Sequence, residues 1–248
     1  VVNTLLAKMY LNAEVYTGTP MYDQAVSYAN KVIHEGGFGL EKNYRNLFCG
    51  ENHLSPLHGN EIIFAIPCDG ENAKSYGNSI MVTAAAYGGL LNPKWLGMDA
   101  SWTCLKPCSQ LVKQFDYSPV AGYDHHGSTL KKDSRFIFFD VKEYVDGENG
   151  DNCTEQGVKT RRDVVPVLTD WNSGYLCHKF TNLGWDQNEV TPSAWPDTDF
   201  PLFRLADIYL IYAECAARQA TGADVSTAVG YINLLRERAN GDKSGNIS

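Results

Sequence analysis

Basic residues are scarce in this sequence: 21 Lys plus Arg stand against 29 Asp plus Glu, a net charge of −8. No Lys/Arg cluster forms a basic face, which argues against duplex DNA and anionic lipid surfaces as partners. Hydrophobic runs are short as well, and none approaches the ~18 consecutive apolar residues of a membrane-spanning helix. The opening Val1-Val2-Asn3-Thr4 has no initiator Met and no basic segment of a signal peptide, and it enters a helical pattern directly. That is the expectation for a chain starting in mid-protein, and Gly241-Asp242-Lys243-Ser244-Gly245-Asn246 reads as loop leaving a helix.

Framework cysteines and catalytic signatures are missing too. The seven cysteines (49, 68, 104, 108, 153, 177, 215) are odd in number and unevenly spaced. Cys104 and Cys108 flank Pro107, with no second Cys or His pair at zinc-ligand distance, so buried free thiols are expected. There is no Gly-x-Ser-x-Gly elbow, phosphate loop, dinucleotide fingerprint or His-Glu-x-x-His. Adjacent His125 and His126 point apart on regular structure, and His53 and His58 straddle Pro56, a poor metal spacing. Asp146-Gly147-Glu148-Asn149-Gly150-Asp151 breaks the EF-hand pattern and reads as a solvated turn. Carboxylates are plentiful, yet nothing pairs two of them as a glycosidase requires.

What is present is helix at both ends. Ala25, Tyr28, Ala29, Val32 and Ile33 form one apolar stripe, and Leu5, Met9 and Ala13, with Leu6 and Tyr10, form another before it. Thr17-Gly18-Thr19-Pro20 separates them, as in an antiparallel pair. Leu205, Ile208, Tyr212, Ala213 and Ala216 mark a third helix, and Val225, Ala228, Val229 and Ile232 a fourth, across Thr221-Gly222-Ala223-Asp224. The second helix of each pair repeats letters: Ala25-Val26-x-Tyr28-x-Asn30 and Ala228-Val229-x-Tyr231-x-Asn233. Small residues with an aromatic at these spacings suit tetratricopeptide-type pairs.

The predicted architecture is mostly α: a helix pair over 1–35, a loop-rich region over 36–200 and a helix pair over 201–240, read as one domain. Within the middle, Glu61–Pro67, Arg135–Asp140 and Val164–Leu168 read as short strands and Ser109–Phe115 as an amphipathic helix. Tyr76, Tyr87, Trp95 and Trp102 lie there among Gly, Asn and Ser, with little periodicity to bury them. Exposed rings present flat apolar faces to the C–H faces of sugars while polar atoms take up hydroxyls.

Several blocks carry a resemblance. Leu11-Asn12-Ala13-Glu14-Val15-Tyr16-Thr17-Gly18, Tyr44-Arg45-Asn46-Leu47-Phe48, Asn60-Glu61-Ile62-Ile63-Phe64 and Ser75-Tyr76-Gly77 are similar to segments of the SusD/RagB family. So are Pro196–Asp207 (PDTDFPLFRLAD) with Tyr212-Ala213-Glu214, and Ile232-Asn233-x-Leu235-Arg236-x-Arg238-Ala239.

The resemblance implies a SusD-like fold and a surface-exposed outer-membrane lipoprotein. Such a protein binds glycan without catalysis and serves a TonB-dependent transporter. It also implies a signal peptide and lipidated Cys before Val1 and further helices after Ser248, with none of the seven cysteines as anchor. In the family's starch-binding member aromatic rings cradle the sugar. Tyr76 (in Ser75-Tyr76-Gly77-Asn78) and Trp102 (in Ser101-Trp102-Thr103-Cys104) match two of those rings, and Trp95 is a further candidate. An α-glucan is the leading ligand. Cofactors are not expected, although Asp197 and Asp199 resemble positions near a calcium site; they read first as structural, Asp before a helix being a cap. The alternatives are a helical-repeat subunit that binds only protein, and a glycoside hydrolase.

Overall fold

The computed structural model describes residues 1–53, 60–76, 83, 93–100, 102, 105, 111, 114, 133–135, 138–139, 176–177 and 179–248. The chain divides into two compact units: Val1–Leu47 with His53–Ile66 and Pro201–Ser248, and Phe48–Asn52 with Pro67–Phe200.

The first unit holds the helices α1 (Val2–Leu11), α2 (Ala13–Thr17), α3 (Tyr22–Glu35), α4 (Leu205–Ala217) and α5 (Val225–Asn240). The α2–α3 break falls where the sequence places it, with Gly18 left-handed at φ 75°. On α3 the buried residues are Ala25, Val26, Ala29 and Val32, close to the predicted stripe. On α1 the stripe is displaced. Thr4 and Ala7 are buried, whereas Leu5 and Met9 are 47% and 53% exposed. Asn12 ends α1 at Leu11, so Ala13 does not extend one continuous face with Leu5 and Met9. Ala7, Ala25 and Ala29 are fully buried, and such small side chains let the helix backbones approach closely.

Helix α4 packs against α1, α3 and α5 and buries Leu205, Ala206, Ile208, Ile211, Tyr212, Cys215 and Ala216. The repeated hexapeptides have a common structural use. Tyr28 stacks on Tyr10 of the preceding α1, with centroids 5.5 Å apart and planes 3° from parallel. Tyr231 stacks on Tyr209 of the preceding α4 at 4.4 Å and 6°. Each pair therefore carries one tyrosine stack between its helices. Asp224 caps α5, accepting from the Thr227 N–H at 2.7 Å, which holds its carboxyl below the usual range.

Strand β1 (Ile62–Ile66) lies within the predicted Glu61–Pro67 run. It pairs with β4 (Phe200–Arg204), where the sequence reading began a helix pair at 201. Pro201 has no N–H for a helix or a ladder, and a strand in a two-stranded sheet tolerates it; α4 starts only at Leu205.

Glu61 binds these pieces together. Its side chain is fully buried, with Oε1 accepting from Arg204 Nη1 at 2.8 Å and Oε2 from Arg238 Nη1. The Glu41 backbone N–H also donates to Oε2, at 2.9 Å. The Glu61 carbonyl accepts from the Leu205 N–H at 3.0 Å, at the start of α4. The Tyr44 ring lies 6.0 Å from the Arg204 guanidinium carbon and 5.4 Å from that of Arg238.

In the second unit Phe48, Phe180 and Phe200 form a ring column, 5.1 Å edge-on and then 5.6 Å stacked. The strands β2 (Phe138–Phe139) and β3 (Leu176–Cys177) pair antiparallel, β2 lying inside the predicted Arg135–Asp140 run. Val164–Leu168, most of Ser109–Phe115 and Tyr87 lie outside the described residues, as do Cys104, Cys108 and Cys153. The four described cysteines are free thiols; Cys49 and Cys215 are buried as expected, whereas Cys68 and Cys177 are only partly buried. Burial pushes the Cys215 thiol up to about 11.

Glu61→Ala leaves Arg204 and Arg238 without their buried partner and is expected to cost roughly 3–5 kcal/mol. Lys8→Ala opens the pair with Asp207, both side chains 39% exposed, and is expected to cost under about 1 kcal/mol. Urea midpoints check both. Cys215 is expected to resist a thiol reagent at pH 8 in the folded protein and to react once it is denatured; rapid native labelling at this position would contradict its burial.

Candidate functional site

The site lies in the second unit and begins with the 3₁₀ turn Pro93–Leu96. The Gly97 N–H donates to the Lys94 carbonyl at 3.0 Å and the Met98 N–H to that of Pro93 at 3.1 Å. Gly97 takes φ +74°, and a Cβ there would stand 2.4 Å from the Asn182 carbonyl oxygen. Only glycine fits this turn. Beyond it, Met98 is fully buried and bridges to Ser193. The Ser193 N–H donates to Gly97 O at 3.2 Å, and the Asp99 N–H returns to Ser193 O at 3.1 Å.

Asn182, itself buried, staples this segment to a second one. Its Nδ2 donates to Gly97 O at 3.2 Å, and its Oδ1 accepts from the Asp197 N–H at 2.7 Å. The second segment is held from its other side by the two aspartates. Asp197 Oδ1 accepts from the Gly70 N–H at 2.7 Å, and Asp199 Oδ1 from that of Cys68 at 2.9 Å. Buried Asn52 matches the Asp199 backbone in both directions, donating to its carbonyl at 2.9 Å and accepting from its N–H at 3.0 Å. Gly70 passes so close to Trp195 that a Cβ would lie 2.2 Å from its carbonyl oxygen.

Asp197 and Asp199 are thus structural, as the sequence suggests, but not as helix caps. The N-cap position of α4 is Arg204, after the intervening β4, and it makes no side-chain cap bond. The carboxylates instead secure backbone N–H groups of the 68–70 segment. Among the described residues no group of three or more His, Cys, Asp or Glu could hold a metal ion.

These segments bring three rings together. Tyr76 lies 4.8 Å from Trp195, edge-on at 60°, and 6.2 Å from Trp102, tilted by 37°. Tyr76 is 67% exposed. The rings, with Met98, Asp99, Ala100 and Ala194, line an open depression of about 140 Å³. Two of the rings chosen from the sequence, Tyr76 and Trp102, are therefore neighbours. Trp95 belongs to the Pro93–Leu96 turn, and its side chain lies outside the described residues, as do His58, His125, His126 and the acidic run 146–151. His53 is exposed.

Trp195 and Asp99 are the members that sequence reasoning passed over. Trp195 stands between Ala194 and Pro196, directly before the Asp197-Thr198-Asp199 block, and that adjacency was the available signal. Chemically, the lining offers aromatic faces and one carboxylate. An acid/base pair for glycoside hydrolysis needs two, about 5–9.5 Å apart, and the described lining has a single carboxylate.

The chain is 33% identical to the starch-binding protein SusD of Bacteroides thetaiotaomicron, over 95% of this chain and 44% of that protein. It therefore spans less than half the length of that relative. Solved structures share the fold at lower identity. The surface glycan-binding protein A of B. thetaiotaomicron superposes with a TM-score of 0.61 at 18% identity, over 100% of this chain and 48% of that one. A SusD superfamily protein of Parabacteroides distasonis gives 0.58 at 19%, over 100% and 45%. A structure with bound xylogluco-oligosaccharide gives 0.60 at 19%, over 99% and 45%. The SusD family profile matches residues 60–246, through both the ring-lined depression and the α4–α5 pair, and the chain belongs to that family.

Proposed function

We propose that this protein is a non-catalytic glycan receptor at the outer-membrane surface, with Tyr76, Trp102 and Trp195 as a stacking platform and a TonB-dependent transporter as the recipient of the sugar. The observation that carries the reading is the cluster of Tyr76, Trp102 and Trp195, with Tyr76 largely exposed, beside backbone segments that are hydrogen-bonded at Gly70, Gly97, Ser193 and Asp197. Flat apolar faces suit the C–H faces of pyranose rings, and a fixed backbone spares the ordering cost that weakens binding on loops.

An α-glucan is the leading ligand, supported by the likeness to a starch-binding protein. Structures that share only the fold include a complex with laminarihexaose and one with a xylogluco-oligosaccharide, so β-glucans belong in the same panel. The reading as a protein-binding helical subunit draws on the exposed Leu5 and Met9 of α1. It predicts capture of the transporter with no sugar affinity.

Titration calorimetry with maltoheptaose and laminarihexaose tests the proposal. Tyr76→Ala, Trp102→Ala and Trp195→Ala are each expected to weaken binding about fivefold, the equivalent of ~1 kcal/mol per ring, with the fold intact. Unchanged affinity in all three would remove the platform. No reducing ends are expected from incubation with either sugar, and their release would instead revive the hydrolase reading.

A further inference from the structure

The depression holds one charged side chain among its described lining residues, Asp99. Among the described residues no lysine or arginine lines it. Asp99 is exposed, and among the described residues no hydrogen-bonding or ionic partner engages its carboxylate. Its backbone is nevertheless fixed: its N–H is bonded to Ser193 O, it follows a fully buried Met98, and the glycine turn before it admits no side chain. A carboxylate with no partner among the described residues, on a hydrogen-bonded backbone beside three rings, is available as an acceptor.

Resting on the glycan reading above, we propose that Asp99 is the hydroxyl acceptor of this site and restricts its ligand to neutral sugars. A carboxylate accepts several hydrogen bonds and donates none. Vicinal hydroxyls of a sugar stacked on the rings supply matching donors, and bonds to an ionised acceptor are roughly twice as strong as neutral ones. A uronate, sialate or sulfate group brought to the same place meets a like charge, with no cation among the described lining residues to offset it. The chain's net charge of −8 acts in the same direction at longer range.

The experiment compares the unaltered chain with Asp99→Ala, Asp99→Asn and Asp99→Lys. The neutral probes are maltoheptaose, laminarihexaose and a xyloglucan oligosaccharide; the anionic ones are oligogalacturonate and chondroitin sulfate oligosaccharides. The unaltered chain is expected to bind a neutral probe and neither anionic one. Asp99→Ala should weaken the neutral probe about tenfold, the scale of one hydrogen bond to a charged group. Asp99→Asn should lose less, since its amide oxygen still accepts, and Asp99→Lys should gain anionic binding. Melting temperatures should stay unchanged because the side chain is exposed. Neutral binding unaffected by Asp99→Ala overturns the acceptor role, and anionic probes bound by the unaltered chain overturn the selectivity. Binding of no sugar at all overturns the glycan reading beneath both.

Discussion

A single buried carboxylate organises the helical unit. Glu61 sits just before β1, and its two oxygens gather Arg204 at the end of β4, Arg238 on α5 and the backbone of Glu41. A carboxylate without solvent is strongly unfavourable unless its lone pairs are all engaged. The four segments must therefore converge before Glu61 can be buried at all. The Glu61 carbonyl extends the same constraint to the first residue of α4. The apolar core packs the helices, while the ion cluster decides which strand and loop lie against them.

The site in the second unit is governed by an analogous rule applied to backbone groups. Loop segments carry N–H and C=O groups that no ladder satisfies, and buried ones need partners. Asn52, Asn182, Asp197 and Asp199 supply them across long separations in sequence. Their short side chains hold three loop segments at fixed spacing, and Gly70 and Gly97 allow approaches that a Cβ would block. Beside this frame the aromatic rings pack against one another, with Tyr76 largely exposed and edge-on to Trp195 at 4.8 Å.

Much of this was legible in the chain. The stripe on α3, the breakers at 17–20 and 221–224, the strand at 62–66 and the tyrosine repeat all follow from local periodicity, and each appears in the structure. The blocks that carry the family resemblance prove largely architectural. Tyr44, Glu61, Arg204 and Arg238 meet in the ion cluster, and Asp197 and Asp199 bind backbone N–H groups. Such letters mark the fold far more directly than the ligand, which is why the family is readable where the sugar is not.

The sequence by itself determined the helix pairs and their turn residues, and singled out two of the three clustered rings, because each depends on spacing within a few residues or on a contiguous motif. Only the tertiary structure decided that α1 turns Ala7 inward and leaves Leu5 outside, that residues 200–204 pair as a strand, and that Trp195 and Asp99 join Tyr76 and Trp102. These outcomes rest on partners far away in the chain, such as Gly97 with Asn182 and Gly70 with Asp197. A hydrogen bond between distant backbone segments leaves no period in the sequence, so its consequences appear only once the chain has closed on itself.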